Sequence, residues 1–398
     1  MAYCCSLINL SRKVLLVAAF GGLCLLVTPS IGLFLSHREV LCSENRRLHS
    51  FPILKTWRDL AGFPLGFERY FDDRFYLRER LTGLHHRLLI RWFHRSPEKK
   101  VVLAKNGWLF LNGTQGNFVD LCHRNVQPFS AAEVEAIHAE MRKRRDWIAS
   151  WGGKTVFVIV PEKETIYPEH LSKIYQSKVN PVSRYDQWKK ICDTDPALTC
   201  VDLRPALLAA KAKGLIYYRS DSHWNFDGAY VGYSELLKPI HKWFPNVIRS
   251  PKPMILGHAT YRGDLAKLLA VGDWFDEQDQ NNYGNPSRSC AKRVAALSGD
   301  LEIPLKSEPI VYECKNVKLP NAVLVRDSMA NRWRPLLPDN FRRTVLMFNW
   351  FPSAEVIERE HPDVVIFENV ERTIEQLLYV TLDTGQRPGQ ARFSWPQK

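Results

Sequence analysis

Apolar positions along the 398-residue chain follow three patterns. The first is residues 14–35, a run of 22 positions without a charge, preceded by Arg12 and Lys13. That run is long enough to cross a bilayer as a helix, and Pro29 and Gly32 near its end are tolerated in such helices. No small-x-small cleavage motif follows it, so it reads as an uncleaved transmembrane anchor rather than a signal peptide. Basic residues before the span place the N-terminus in the cytoplasm and export the bulk of the chain. The second pattern has helical spacing. Leu77, Leu81, Leu84 and Leu88 mark one helical face in a basic, aromatic region. Ser130 and Glu133 have the form of a capping box. After them Val134, Ile137, Met141 and Ile148 continue a stripe that ends at Gly152-Gly153.

The third pattern consists of short β-rich runs at residues 155–160, 200–203, 322–325, 344–348 and 364–367. Most lack polar alternation, as strands buried on both faces do. Helical stretches lie between them, including 205–213 and 229–241. The alternation predicts an α/β fold with a parallel sheet. Ligands in such sheets bind beyond the carboxyl ends of the strands. Lys163 and Tyr167, in the polar loop after residue 160, are therefore candidates to line a site. Residues 250–320 are irregular and rich in Pro, Gly, Asn and Asp. A connection this long predicts a lid or binding loop. The predicted organisation is a cytoplasmic N-terminus (1–13), an anchor (14–35), a juxtamembrane helical arm (36–100), one α/β domain (101–384) with an insertion around 250–320, and a flexible tail (385–398).

Composition sharpens this picture in two places. The chain carries 55 Lys and Arg against 42 Asp and Glu, and the excess is uneven. The first 100 residues hold 16 basic and 8 acidic side chains, the remainder 39 and 34. A basic N-terminal region suits an anionic membrane surface, an acidic polymer or plain solvation. No helix-turn-helix, zinc-finger or RNP pattern accompanies it, so nucleic acid is not expected as a partner. Six cysteines follow the apolar run, and none has Cys-x-x-Cys spacing. In an exported chain they predict disulfides, with Cys192–Cys200 and Cys290–Cys314 as the local pairs. Cys42 and Cys122 remain open.

Candidate chemistry lies in two stretches. Asp221-Ser222-His223-Trp224-Asn225 stands just before a helical pattern, with Gly228-Ala229 three residues on. Residues 323–325 run as a strand into Arg326-Asp327-Ser328. A serine becomes a useful nucleophile when an imidazole takes its proton, and the imidazole needs a carboxylate to hold its tautomer. Ser328, His223 and Asp221 offer those three groups. Ser328 is expected at a helix N-terminus, where backbone donors favour a developing oxyanion. No P-loop or GxGxxG is present, and this chemistry calls for neither metal nor cofactor.

Seven short motifs occur in order across most of the chain: Ser43-Glu44-Asn45-Arg46, Gly107-Trp108-Leu109-Phe110, Tyr167-Pro168-Glu169-His170-Leu171, Asp221-x-His223-Trp224, Gly263-Asp264-Leu265, Asp327-Ser328 and Pro362-Asp363-Val364-Val365. In this the sequence resembles the AlgX/AlgJ type of SGNH-hydrolase-like proteins, the alginate O-acetyltransferase family. The resemblance implies an SGNH-like α/β/α sandwich in permuted order, with Asp221 and His223 preceding Ser328. It also implies acetyl transfer to an exopolysaccharide at the periplasmic face of a bacterial inner membrane, the acetyl group supplied by a membrane-bound O-acyltransferase. Trp224 and Arg326, flanking the triad residues, join Lys163 and Tyr167 as candidate substrate contacts. Arg326 stands where such proteins often have Gly, which relieves crowding in a tight turn. An esterase with water as acceptor is one alternative. A non-catalytic polysaccharide-binding subunit, which Arg326 would favour, is another.

Overall fold

The computed structural model describes residues 20–22, 40–41, 46–113, 117–252, 260–278, 290–294, 308–350, 352–383 and 392–394. The chain divides into two compact units, 1–98 with 266–272, and 99–265 with 273–398. In the first, helices Phe63–Arg74 and Arg78–Phe93 follow one another. Phe51 sets its ring edge-on against Phe63, Phe67 and Tyr70. The leucine face expected on the second helix is there, but Leu81, Leu84 and Leu88 are 46–54% exposed. Gly83 and His86 form its buried side instead.

The second unit is built on a seven-stranded sheet. Its order is Cys200–Asp202, Lys154–Val160, Val364–Val370, Asn321–Arg326, Arg343–Phe348, Ile310–Glu313 and Lys292–Arg293. Every residue of Lys154–Val160 after the first is buried. Its side chains still alternate between two cores. Val156, Val158 and Val160 pack with Phe226, Tyr233, Leu236 and Leu324. Phe157 and Ile159 pack with Ile137, Met141, Trp188, Val323 and Val325. Period-two alternation with apolar residues on both sides is the mark of a sheet covered on both faces. Helices Arg204–Lys211 and Phe226–Trp243 cover one face, and Ala131–Ala149, Arg184–Thr194 and Ala354–Glu360 the other. The α/β fold is therefore as expected, but the sheet is mixed rather than parallel. Its first five strands are parallel. Ile310–Glu313 and Lys292–Arg293 add antiparallel pairs at one edge. Residues 314–320 are too few for the dozen or so that a parallel crossover requires, so the chain enters the sheet there in reverse.

No helix among the described residues is long and apolar enough to cross a membrane. Of the expected anchor at 14–35 only residues 20–22 are described, and the rest of that run lies outside the described residues. The single-pass inner-membrane placement with a periplasmic domain, drawn from that run, is corrected accordingly: the described residues hold no helix that could make the span, and absence of charge alone does not establish one.

Part of the presumed lid is sheet and ribbon. Lys292–Arg293 and Ile310–Glu313 join the main sheet, and Thr260–Tyr261 pairs with Glu277–Gln278. Residues 253–259, 279–289 and 295–307 of it lie outside the described residues. So do Cys42 and most of the tail, although Arg392–Ser394 pairs with Thr381–Asp383. Both expected disulfides, Cys192–Cys200 and Cys290–Cys314, are present, and Cys122 is free and buried. The first ties the end of the Arg184–Thr194 helix to an edge strand. Replacing Cys192 and Cys200 together by serine is expected to cost about 2.5 kcal/mol of stability, the loop-closure value for so short a loop. Urea denaturation checks it.

Candidate active site

Two loops at the carboxyl edge of the sheet bring the chemistry together. The first spans residues 218–223 and is pinned at its base. Tyr217 and Trp224 form an isolated antiparallel bridge. The Asn225 N–H donates to the Ile216 carbonyl at 3.0 Å. Asn225 then caps the Phe226–Trp243 helix through the Gly228 N–H. A Cβ at Gly228 would stand 2.2 Å from the Ile216 carbonyl oxygen, so the helix can start this close to the loop only with glycine there.

The second loop leaves the central strand Asn321–Arg326. Asp327 shapes it: its carboxylate accepts the Met329 N–H at 2.8 Å and the Val370 N–H at 2.6 Å. Its own N–H donates to buried Glu368 at 2.8 Å. Burial, with Asp327 beside it, pushes the Glu368 carboxyl well above its usual range. Ser328 follows as the cap of a 3₁₀ turn, Met329–Trp333. The expected longer helix is absent here, so little helix dipole acts on Ser328. Among the described residues no acceptor takes the Ser328 N–H. Two tryptophans lock the loops together. Trp224 donates from Nε1 to the Met329 carbonyl at 2.9 Å, and Trp333 to the Ala229 carbonyl at 2.8 Å.

The outcome is a linear array. Asp221 Oδ1 lies 2.7 Å from His223 Nδ1, and His223 Nε2 lies 2.8 Å from Ser328 Oγ. Asp221 Oδ1 also accepts the His223 N–H at 2.8 Å, which fixes the angle between acid and ring. Asp221 Oδ2 accepts the Tyr261 hydroxyl at 2.7 Å and the Asp264 N–H at 2.8 Å. Burial would raise the Asp221 carboxyl, but the bond and charge of His223, with those two donors, hold it well below the carboxylate range. Burial would likewise lower His223, but the bond and charge of Asp221 outweigh it and raise the imidazole above its ordinary 6.5. These directions keep a carboxylate against Nδ1–H and leave Nε2 facing the serine.

The loop that carries Asp221 and His223 is braced from below and from the side. Lys163 is 1% exposed. Its ammonium donates to the carbonyls of Tyr218 at 3.0 Å, Arg219 at 3.2 Å and Asp221 at 2.5 Å. Burial pushes it down to about 8. Glu277 accepts the N–H groups of Arg219 at 2.6 Å and Ser220 at 3.0 Å. The Leu109 N–H donates to the Arg219 carbonyl at 3.0 Å. Among the described residues Asp221, His223 and Asp264 bring donor atoms within 4.8 Å of one another, as a metal site would. The hydrogen bonds of the array already engage those atoms.

The sequence-predicted acid, base and nucleophile thus converge, while the four predicted substrate contacts are all buried. Lys163 holds loop carbonyls. Tyr167 packs at a tilt against Trp108 with ring centroids 4.5 Å apart, and its hydroxyl accepts the Ile216 N–H. Trp224 is fully enclosed. Arg326 lies over the Phe348 ring, 4.1 Å from its centroid, and donates to the Asp327 carbonyl and to Asn331. Its guanidinium bonds the nucleophile turn, which forms without the glycine expected there. Sequence reasoning missed Glu277, Tyr261 and Asp264 as braces; the only signal was the Gly263-Asp264-Leu265 motif.

The family comparison agrees with this architecture. A family model described as "SGNH hydrolase-like domain, acetyltransferase AlgX" matches residues 101–301, which contain Asp221 and His223 but not Ser328. A protein of Pseudomonas syringae pv. tomato named probable alginate O-acetylase AlgJ is 28% identical over 211 residues, 52% of this chain and 51% of that one. Its namesake from Pseudomonas putida is 25% identical over 327 residues, 77% and 78% of the two chains. The chain spans about half the length of most of these relatives. Among solved structures, the O-acetyltransferase domain of Pseudomonas putida AlgJ is 18% identical with a TM-score of 0.45, over 69% of this chain and 92% of that one. Bacillus cereus PatB1 is 14% identical with a TM-score of 0.46, over 69% and 96%. Scores this low carry no argument about activity. With half of its length matched by the family model, the chain belongs to the SGNH hydrolase-like domain family of acetyltransferase AlgX.

Proposed function

We propose that the protein is an O-acetyltransferase that acetylates hydroxyls of an alginate-like exopolysaccharide through Ser328, His223 and Asp221. The observation that carries this reading is the 2.8 Å approach of His223 Nε2 to Ser328 Oγ, with Asp221 2.7 Å from the other ring nitrogen. The names of the relatives support the acetyl group and the acceptor class. A membrane-bound O-acyltransferase is the proposed supplier of acetyl groups.

In the first half-reaction Ser328 Oγ attacks the acetyl carbonyl of the donor while His223 Nε2 takes the hydroxyl proton. The Ser328 N–H faces the oxyanion. The donor's leaving group departs with the proton from Nε2, and acetyl-Ser328 remains. In the second, a sugar hydroxyl gives its proton to Nε2 and attacks the acetyl carbon. Ser328 leaves as the alkoxide and recovers the proton from the imidazolium. With water as acceptor the same steps would make an esterase. Purified protein with an acetyl-ester donor and uronate oligosaccharides decides between them: acetylated sugar is expected, and free acetate as the sole product would contradict the transferase reading.

The reaction needs the unprotonated imidazole. Because His223 is raised above 6.5, the acid limb of kcat/KM against pH is expected above pH 6.5, with activity lost as pH falls through it. A pH–rate profile from pH 5 to 9 (roughly the range over which a histidine titrates) measures it.

A further inference from the structure

We propose that Tyr261 and Asp264, which the family match leaves without a role, are positioning residues that set the basicity of His223 from outside the triad. The inference rests on the triad reading above. Both residues come from the stretch after 250 that looked from sequence like a lid, yet they reach the catalytic loop from the side.

Three contacts carry it. Tyr261 Oη and the Asp264 N–H both bind Asp221 Oδ2, the oxygen that does not face the imidazole. They draw carboxylate charge away from His223. The Asp264 carboxylate acts in the opposite sense. It accepts the Ser222 N–H at 2.7 Å and the Ser222 hydroxyl at 2.5 Å, and Oδ2 stands 3.6 Å from His223 Nδ1. Ser222 Oγ in turn lies 3.2 Å from that nitrogen. Asp264 thus adds a second anion to the face of the ring that already holds Asp221.

The approach of the two stretches is too close to be incidental packing. A Cβ at Gly263 would stand 2.2 Å from the Ser220 carbonyl oxygen and 2.6 Å from the Asp221 nitrogen, so only glycine lets Asp264 reach its place. Tyr261 is held by pairing with Glu277, whose carboxylate takes the next two loop N–H groups. Burial and the Asp221 charge raise the Tyr261 hydroxyl, which keeps it a donor at working pH. The charged groups facing His223 are Asp221 on its own loop, Asp264, and Arg372 after the Val364–Val370 strand, which opposes them. Burial and the Asp221 charge raise the Asp264 carboxyl above its ordinary value, against the opposing pull of His223 and Ser222, and its side chain is 43% exposed, so solvent screens its charge.

The test measures the imidazole directly. In the full chain, the His223 ring nitrogens are followed by NMR against pH and assigned by their loss in His223→Gln. Asp264→Asn is expected to lower the His223 pKa by about half a unit or more, since it removes a nearby anion. Tyr261→Phe is expected to raise it, since Asp221 regains the charge the hydroxyl had drawn off. The acid limb of kcat/KM should move with each, in opposite directions, with KM unchanged. A purely structural role predicts no pKa change, or shifts of the same sign accompanied by lower denaturation midpoints; either result overturns the proposal. Ser328→Ala, assayed alongside, tests the triad reading separately: full activity there sinks the nucleophile, while the NMR titration still decides on Tyr261 and Asp264.

Discussion

Ser328→Ala is expected to fold normally and to transfer acetyl groups more slowly by roughly 10³-fold or more. Among the described residues the hydroxyl bonds only His223 Nε2, so its loss leaves the turn intact. That turn is held by Asp327, by the Trp224 indole and by Arg326, none of which touches Oγ. His223→Ala is expected to cost a similar factor, and Asp221→Ala somewhat less. The double variant of Ser328 and His223 should be little worse than the poorer single one, because the groups act as a unit. Circular dichroism beside the acetylation assay separates loss of chemistry from loss of fold.

Lys163→Met carries the largest expected effect on stability, about 3 kcal/mol lost. Its ammonium bonds three carbonyls of the loop that bears Asp221; without it Arg219 keeps the Leu109 N–H, but an apolar side chain of similar length offers the Tyr218 and Asp221 carbonyls no donor in its place. Each buried carbonyl left without a donor costs about 1–3 kcal/mol. Relief of the buried charge offsets part of that sum, and the depressed Lys163 value, about 8, marks how unfavourable the charge is there. The orphaned carbonyls win because the amine's replacement changes nothing else around them. Activity should fall as well, since Asp221 loses one of the contacts that fix its backbone. Guanidinium denaturation and the acetylation assay on one preparation measure both. A variant as stable and active as wild type would reduce Lys163 to a bystander.

The parts of this site that were legible in the sequence are those encoded locally. Residues 155–160, 322–325, 344–348 and 364–367 read as strands because they are short apolar runs rich in β-branched residues, too short for core helices. Asp221 and His223 stood out before a helical pattern, and Ser328 after an apolar strand. What remained illegible depends on chain segments meeting in space. Thr260–Tyr261 and Glu277–Gln278 are each two residues long, with no pattern to detect, yet their pairing delivers Tyr261 and Glu277 to the catalytic loop. Lys163 follows a strand at the carboxyl edge, as a ligand-binding residue would, but three carbonyls converge on it and close it off. Arg326 looked like a defect in the nucleophile turn because the space beneath Phe348 and beside Asn331 cannot be seen in one dimension. The membrane placement rested on an absence of charge alone, and no helix among the described residues is long and apolar enough to cross a membrane.

The measurement that bears most directly on the account is a search for the covalent intermediate. The protein is mixed with a small acetyl-ester donor and no glycan, quenched in acid, digested, and its peptides weighed. The account predicts one added acetyl group on Ser328, formed by wild type, absent in Ser328→Ala, strongly diminished in His223→Ala, and discharged when a polysaccharide acceptor is added before the quench. Turnover of the donor with Ser328 unmodified at every time point, or the acetyl group on another residue, would contradict it.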